Sequence, residues 1–299
     1  MLPLPGLFAR PAFLARHRLH NAFRSYFHQG QHTASSAPEF ITSTAVLRRK
    51  WNVPIDDFAR ESFAMFTAGL INSVPALLWL VYYVFSDDVL ITETREEVAK
   101  VVVRDGDEAV LDFGGITGKC PLLYSAYQEV LRIQGLQPGA RVALADVVLP
   151  FSPGDGSPDR EYLIPKGTLV QMPAGVLHKD TSVWGADALS FDARRFMKDD
   201  SRSAQERLQK KAYFPFGGGK HLCPGRHFAF LEILGTMVVL LLQYELEGSN
   251  GGRLKVPETT YRIGEAVAKP KGWGTEALEG RVRKRAGWED VRWTFVFGS

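Results

Sequence analysis

The residues best equipped for chemistry lie in one short stretch, Phe216–Gly225, which reads FGGGKHLCPG. Cys223 is one of only two cysteines in the chain, and a tract of three glycines, Gly217–Gly219, precedes it with Lys220 and His221, while Pro224 and Gly225 follow. Four chemistries compete for such a loop. A phosphate loop needs a hydroxyl residue directly after its lysine, and Lys220 is followed by His221. A zinc site needs several ligands at set spacing; His221, Cys223 and His227 lie close together, but no second cluster pairs with them. A nucleophilic thiol needs a base, and His178 is a candidate that nothing in the sequence places beside it. The fourth chemistry is axial ligation of haem iron by a cysteine thiolate. Glycines on both sides of Cys223 leave room for a macrocycle against the backbone. Phe216 can shield the sulfur, and a helix starting at Pro224 directs its N-terminal amides toward a thiolate. Lys220 and His221 are placed to meet anionic groups on the haem.

The elements that must position this loop are mostly helical. Residues 1–50 read as helices with a polar break at Gln29–Pro38, and a long helix is expected from Pro54 to about Ser86. Helical spacing continues over Ile91–Val103, Asp105–Gly118 reads as loop, and a short helix is expected over Leu122–Arg132. Arg141–Leu149 and Tyr162–Met172 are rich in strand formers and flank a Gly/Pro/Asp turn. Residues 197–213 read as a polar surface meander, and Arg226–Tyr244 as a second, very apolar helix. In the tail the best strand is Val291–Phe297. The fold class expected is mainly α with small β-sheets.

The chain's 299 residues are 45% hydrophobic and 23% charged, an ordinary globular balance. The 36 basic and 33 acidic residues leave a net charge of +3, which gives no concentrated basic face for nucleic acid. The two cysteines, Cys120 and Cys223, imply no disulfide framework, so a reducing compartment is the default. Before the first acidic residue, Glu39, stand Arg10, Arg16, Arg18 and Arg24. This fits an organelle-targeting segment or, as the preferred reading, a basic amphipathic helix of a folded domain. The run Phe63–Phe85 has no charged residue and is long enough to span a membrane. Asn72, Ser73 and Pro75 at its centre favour instead a helix buried through a large domain.

Phe216-x-x-Gly219-x-x-x-Cys223-x-Gly225 resembles the haem-binding signature of the cytochrome P-450 family, and three further motifs follow the family's order. Glu129-Val-Leu-Arg132 resembles its Glu-x-x-Arg helix. Phe191-Asp-Ala-Arg-Arg195-Phe196 resembles its Phe-x-Pro-x-Arg-Phe, with Ala193 in place of proline. Ile164-Pro-Lys-Gly-Thr168, then His178 and Trp184-Gly185, resembles the segment between them. The resemblance implies haem b with Cys223 as axial iron ligand, flanked by Phe216, Gly219 and Gly225. It implies Arg141 and His221 on the haem propionates, and a structural triad of Glu129, Arg132 and Arg195. Locally, Glu129–Arg132 is equally a helix-surface ion pair, and Arg141 a solvated strand residue.

The helix Phe63–Phe85 resembles the family's distal helix, but Ala68-Gly69-Leu70-Ile71-Asn72-Ser73 lacks the usual acid and alcohol. That departure resembles the subgroup of sterol 7α-hydroxylases and prostacyclin synthase, and leaves Asn72 and Ser73 as the residues for distal proton delivery. The function implied is a monooxygenase that oxidises a lipophilic small molecule with O2 and electrons from an NADPH-cytochrome reductase. Alternatives are a haem-thiolate isomerase or dehydratase, or a single-span membrane protein without haem. The resemblance covers only the C-terminal part of the family fold. The chain is therefore expected to be one partial domain over 1–299: helices in 1–50, the central helix in 54–86 and the haem-binding part in 120–299. Full-length members sit in the endoplasmic reticulum membrane. The anchor is expected to be absent here, which would leave the chain cytoplasmic, a truncated form that binds haem poorly by itself.

Overall fold

A computed structural model describes residues 9–152, 158–197, 203–261, 264–273 and 280–297. The turn expected between the two β-rich segments falls partly at 153–157, outside the described residues, as do the first residues of the expected meander. The chain forms two compact units, Met1–Ile71 and Asn72–Ser299.

The first unit holds α1 (Arg10–His28), a 3-10 turn (Gln31–Thr33), α2 (Glu39–Lys50) and the start of α3 (Ile55–Phe85). Helix α1 has no acidic residue and turns Phe27 inward against Phe58, with ring centroids 4.6 Å apart. Ala45 and Ala59 complete this small core. Arg24 and His28 both bind the Asp56 carboxylate, at 2.8 and 3.0 Å. Hydrogen bonds from these two side chains hold the Asp56 carboxyl down at about 2. The polar break between α1 and α2 lies where the sequence places it.

Helix α3 has the expected bounds to within a residue, but it is not buried along its length. Met65, Phe66 and Ile71 are exposed, whereas Ala76, Trp79, Leu80, Val84 and Phe85 are buried. The buried turns belong to the main core of the second unit. That core also takes in α4 (Asp88–Val98), α6 (Pro121–Gln134) and α10 (Arg226–Gln243), through residues such as Ile91, Leu123, Val130, Ile233 and Leu241. The Trp79 indole donates to the Ala268 carbonyl at 2.7 Å, so even the largest core side chain has its polar edge satisfied.

Between α4 and α6 the expected loop is instead a β-hairpin, β1 (Val102–Asp105) and β2 (Glu108–Asp112), followed by a short helix α5 (Ile116–Lys119). The two-residue turn Gly106–Asp107 closes the hairpin, and Gly106 adopts φ +56, which suits glycine at that place. Helix α4 consequently ends at Val98 rather than Val103, and it begins three residues early because the Asp87 carboxylate caps Val89 and Leu90.

The predicted β segments form β3 (Pro138–Val142), β4 (Val147–Phe151), β5 (Arg160–Ile164) and β6 (Leu169–Pro173); β3 pairs with β6 and β4 with β5, both antiparallel. Two short helices, α7 (Ala174–Leu177) and α8 (Thr181–Trp184), lead into the meander. The expected meander also contains a true helix, α9 (Ala204–Ala212), capped by the Ser203 hydroxyl on the Glu206 amide. After α10 come β7 (Tyr244–Gly248), β8 (Thr259–Thr260), β9 (Lys269–Pro270), β10 (Gly280–Lys284) and β11 (Arg292–Val296). Strand β11 joins β2 in parallel, completing a three-stranded sheet. Helices α3 and α10 are long and apolar enough to cross a membrane, and both are partly buried in the fold.

Candidate functional site

Helix α6 presents Glu129 and Arg132 one turn apart, and neither side chain is exposed at all. The pair meets edge-on, with Arg132 Nε and Nη2 each 2.7 Å from a different Glu129 oxygen. The remaining Arg132 donors reach the backbone of the following meander: Nη1 donates to the carbonyls of His178 and Ala188, and Nη2 to that of Ser190. All five guanidinium N–H groups are thereby used. Glu129 Oε1 also accepts from Arg195 Nε at 3.0 Å and from the Asp192 amide at 3.1 Å. Arg195 extends outward to the exposed Asp187, at 2.8 Å, and the bond lowers the Asp187 pKa. The Trp184 ring lies under the Arg132 guanidinium at 5.0 Å. A buried charge needs this many partners, because each unpaired donor would carry its full desolvation cost.

The Cys223 loop is held at both ends by its own backbone. Gly217 N–H donates to Phe214 O at 3.0 Å, and Cys223 N–H donates to Phe216 O at 3.0 Å. Gly217 and Gly219 have φ of +75 and +63, so the turn demands glycine at both positions. Gly218 and Gly225 have no such demand. An added Cβ at Gly218 or Gly219 would meet nothing within 4 Å, and one at Gly225 would sit 3.7 Å from Cys223 Sγ. Gly218 and Gly219 thus open onto free space, and Gly225 is the glycine next to the sulfur. The Phe216 ring packs against the main core. Helix α10 begins at Arg226 with Gly225 as its cap, so Pro224 lies in the preceding turn rather than in the helix. Cys223 still stands directly before the helix N-terminus, where the macrodipole favours negative charge.

Strand β3 brings Arg141 to this loop: its Nη2 donates to Gly218 O at 2.8 Å. His221 is exposed in the 3-10 turn Gly219–His221. Asn72 and Ser73 lie next to each other on α3, Asn72 half-buried and Ser73 buried; neither the charge cluster nor the Cys223 loop includes them.

The two thiols differ sharply. Cys120 is completely buried, and burial pushes its thiol up to about 12, whereas Cys223 is half-buried and unpaired. Among the described residues no group of three or more His, Cys, Asp or Glu could hold a metal ion, so the zinc reading finds no donor set. The base needed by the nucleophile reading is already engaged. His178 Nε2 accepts the Phe214 amide at 3.2 Å, inside a cage of Trp184, Tyr213 and Phe214. The carbonyls that accept from Arg132 were not legible as parts of the site, since a hydrogen bond to backbone leaves no mark on residue type; His178 is singled out in the sequence as a candidate base and within a motif, but its bond to the Phe214 amide is not.

A helical fold with a fully bonded Glu-x-x-Arg pair and a glycine-lined cysteine before a long helix defines a class of protein. Comparison with known families identifies it: the family model described as cytochrome P450 matches residues 1–272. The chain belongs to the cytochrome P450 family, and membership implies haem iron. A cytochrome P450 monooxygenase of Gibberella zeae is 38% identical over 231 residues, covering 76% of this chain and 43% of that protein. The cytochrome P450 monooxygenase nodJ of Hypoxylon pulicicidum is 26% identical, covering 98% of this chain and 56% of its own length. A crystal structure of a cytochrome P450 superposes with a TM-score of 0.59 at 23% identity, over 78% of this chain and 47% of that one. The chain thus spans about half the length of the relatives it matches.

Proposed function

We propose that this chain supplies the cysteine-bearing part of a haem-thiolate monooxygenase, with Cys223 as the axial ligand of haem b. The observation that carries the reading is the state of Cys223: a free, half-buried thiol just before a helix N-terminus, in a loop whose Gly218 and Gly219 open onto free space. The residues fit the group. A soft sulfur donor is available, a side chain on Gly218 or Gly219 would project into open space, and Arg141 and His221 stand on the same loop system. When bound, the haem would supply activation of O2, and the thiolate would donate electron density toward O–O cleavage.

The chain's own residues have distinct tasks. Cys223 presents sulfur while its amide is held by Phe216 O. Arg141 and His221 would bind the propionates, and Arg141 already fixes Gly218 from β3. Glu129, Arg132 and Arg195 anchor the meander on α6. Asn72, with Ser73 beside it, would hold or pass protons on the distal side. Electrons would come from an NADPH-cytochrome reductase, and the apolar run of α3 suits a lipophilic substrate. No observation favours the isomerase or the single-span membrane protein.

The test is spectroscopic. The chain is saturated with haem, reduced and exposed to CO, alongside Cys223→Ala and Cys120→Ala variants. Wild type and Cys120→Ala should give a thiolate-type Soret band, and Cys223→Ala should not. An unchanged band in Cys223→Ala, or no thiolate complex in wild type at saturating haem, refutes the proposal for this chain.

A further inference from the structure

His178 is completely buried and lies between two structures that the sequence motifs treat as separate. On one side its carbonyl accepts from Arg132 Nη1, within the Glu129 cluster. On the other its ring Nε2 accepts the N–H of Phe214 at 3.2 Å. Phe214 opens the cysteine loop: its carbonyl accepts from Gly217, and two residues on Phe216 O holds the amide of Cys223. The neighbouring Tyr213 hydroxyl donates to Gln128 O at 3.0 Å, so α6 grips this segment twice.

The ring's protonation state follows from geometry. A backbone amide only donates, so Nε2 must be the unprotonated nitrogen and the single ring proton sits on Nδ1. Burial lowers the His178 pKa to about 4, which keeps the ring neutral at ordinary pH. Among the described residues Nδ1 makes no hydrogen bond of good geometry, although its proton lies close enough to the Arg132 backbone to raise the ring's pKa against the effect of burial. It faces the backbone at Gly135, where an added Cβ would sit 3.5 Å away. The well-formed hydrogen bond of the ring is thus the one at Nε2.

We infer that His178 is a positioning residue for the Cys223 loop, acting as a neutral Nδ1–H imidazole that fixes the Phe214 amide to the Glu129–Arg132 cluster. What the loop finally holds rests on the haem-thiolate reading, but the fixing itself is a property of the polypeptide and can be measured without haem.

The experiment compares wild type with His178→Phe, which keeps an aromatic ring and loses the acceptor, and His178→Gln, whose side-chain oxygen reaches toward the Nε2 position. Hydrogen exchange is read at the Phe214 amide, and alkylation of Cys223 is followed by peptide mass spectrometry, both on the haem-free chain. Loss of one neutral hydrogen bond should speed both in His178→Phe by about 5- to 10-fold. His178→Gln should return them to within about twofold of wild type. Wild-type rates in His178→Phe, or no recovery in His178→Gln, overturn the inference. Should a variant not fold, the ring's 15N shifts in wild type decide. An Nδ1–H tautomer at neutral pH supports the assignment, and an Nε2–H tautomer or an imidazolium refutes it. These outcomes are independent of the CO spectrum, so either proposal can fail alone.

Discussion

Removal of the Glu129 carboxylate is the sharpest perturbation of this fold. Four donors lose their acceptor in Glu129→Ala: Arg132 Nε and Nη2, Arg195 Nε and the Asp192 amide. Arg132 cannot turn to water, because its side chain is completely enclosed and its Nη1 is tied to two carbonyls. Breaking a buried pair on one side costs about 3–5 kcal/mol, set mainly by the stranded charge. Whole domains are stable by only about 5–15 kcal/mol, so the variant should lose a large part of its folding free energy. Urea unfolding followed by tryptophan fluorescence is a suitable assay, since Trp184 lies against the Arg132 guanidinium.

Two comparisons isolate the cause. Asp187 also pairs with Arg195, but its side chain is 60% exposed, so Asp187→Asn should cost about 0–1 kcal/mol. The double variant Glu129→Leu/Arg132→Met removes both buried charges of the α6 pair. It should cost no more than the worse single variant, although the carbonyls of His178, Ala188 and Ser190 then lose a donor. A Glu129→Ala cost below about 1 kcal/mol would place this pair with ordinary surface bridges and refute the reasoning.

Two further outcomes follow from single contacts. His178 has a folded pKa near 4 against 6.5 unfolded, so the unfolded chain binds more protons between those values, and stability should fall as pH drops through that window. The full difference is roughly 3 kcal/mol, and protonation would also set the ring against Arg132 and Lys179 and break its bond to the Phe214 amide. The difference between wild-type and His178→Gln stability curves over that range measures it, and parallel curves would contradict it. Gly235 on α10 faces Phe113, where an added Cβ would stand 2.7 Å from the ring. Phe297 and Phe295 stack on that ring at 5.5 and 5.9 Å and limit its retreat. Gly235→Ala should therefore destabilise by about 1 kcal/mol net, the overpacking outweighing the gain in helix propensity, and Phe113→Leu in the same background should restore it. Stabilisation by the single change would show that the ring moves aside.

What was legible in the sequence divides along physical lines. The long helices were readable because 3.6-residue periodicity is a local property: α3, α6 and α10 lie within a few residues of their expected bounds, and α1 ends at the expected polar break. The β1–β2 hairpin was missed although Asp105-Gly106 is a strong turn signal, because helical spacing was extended past Val98 into the short apolar run Val101–Val103, which periodicity alone does not assign to helix or strand. The burial of α3 was overestimated for a different reason. Apolar composition shows that a helix seeks partners, but only the packing shows where they are, and here burial is concentrated in the turns from Ala76 to Phe85.

The site shows the same division more sharply. Spacing alone cannot separate Glu129–Arg132 from a solvated ion pair, since both place opposite charges one turn apart. What separates them is the supply of further acceptors, and these come from His178, Ala188 and Ser190, all backbone carbonyls with no residue signature. A guanidinium that must satisfy five N–H groups without water therefore dictates the path of a segment well beyond its own helix. The loop of Cys223 follows from that path, because the residue whose carbonyl serves Arg132 is the one whose ring holds Phe214. Two motifs that read as separate along the chain are one hydrogen-bonded structure, and His178 is where they join.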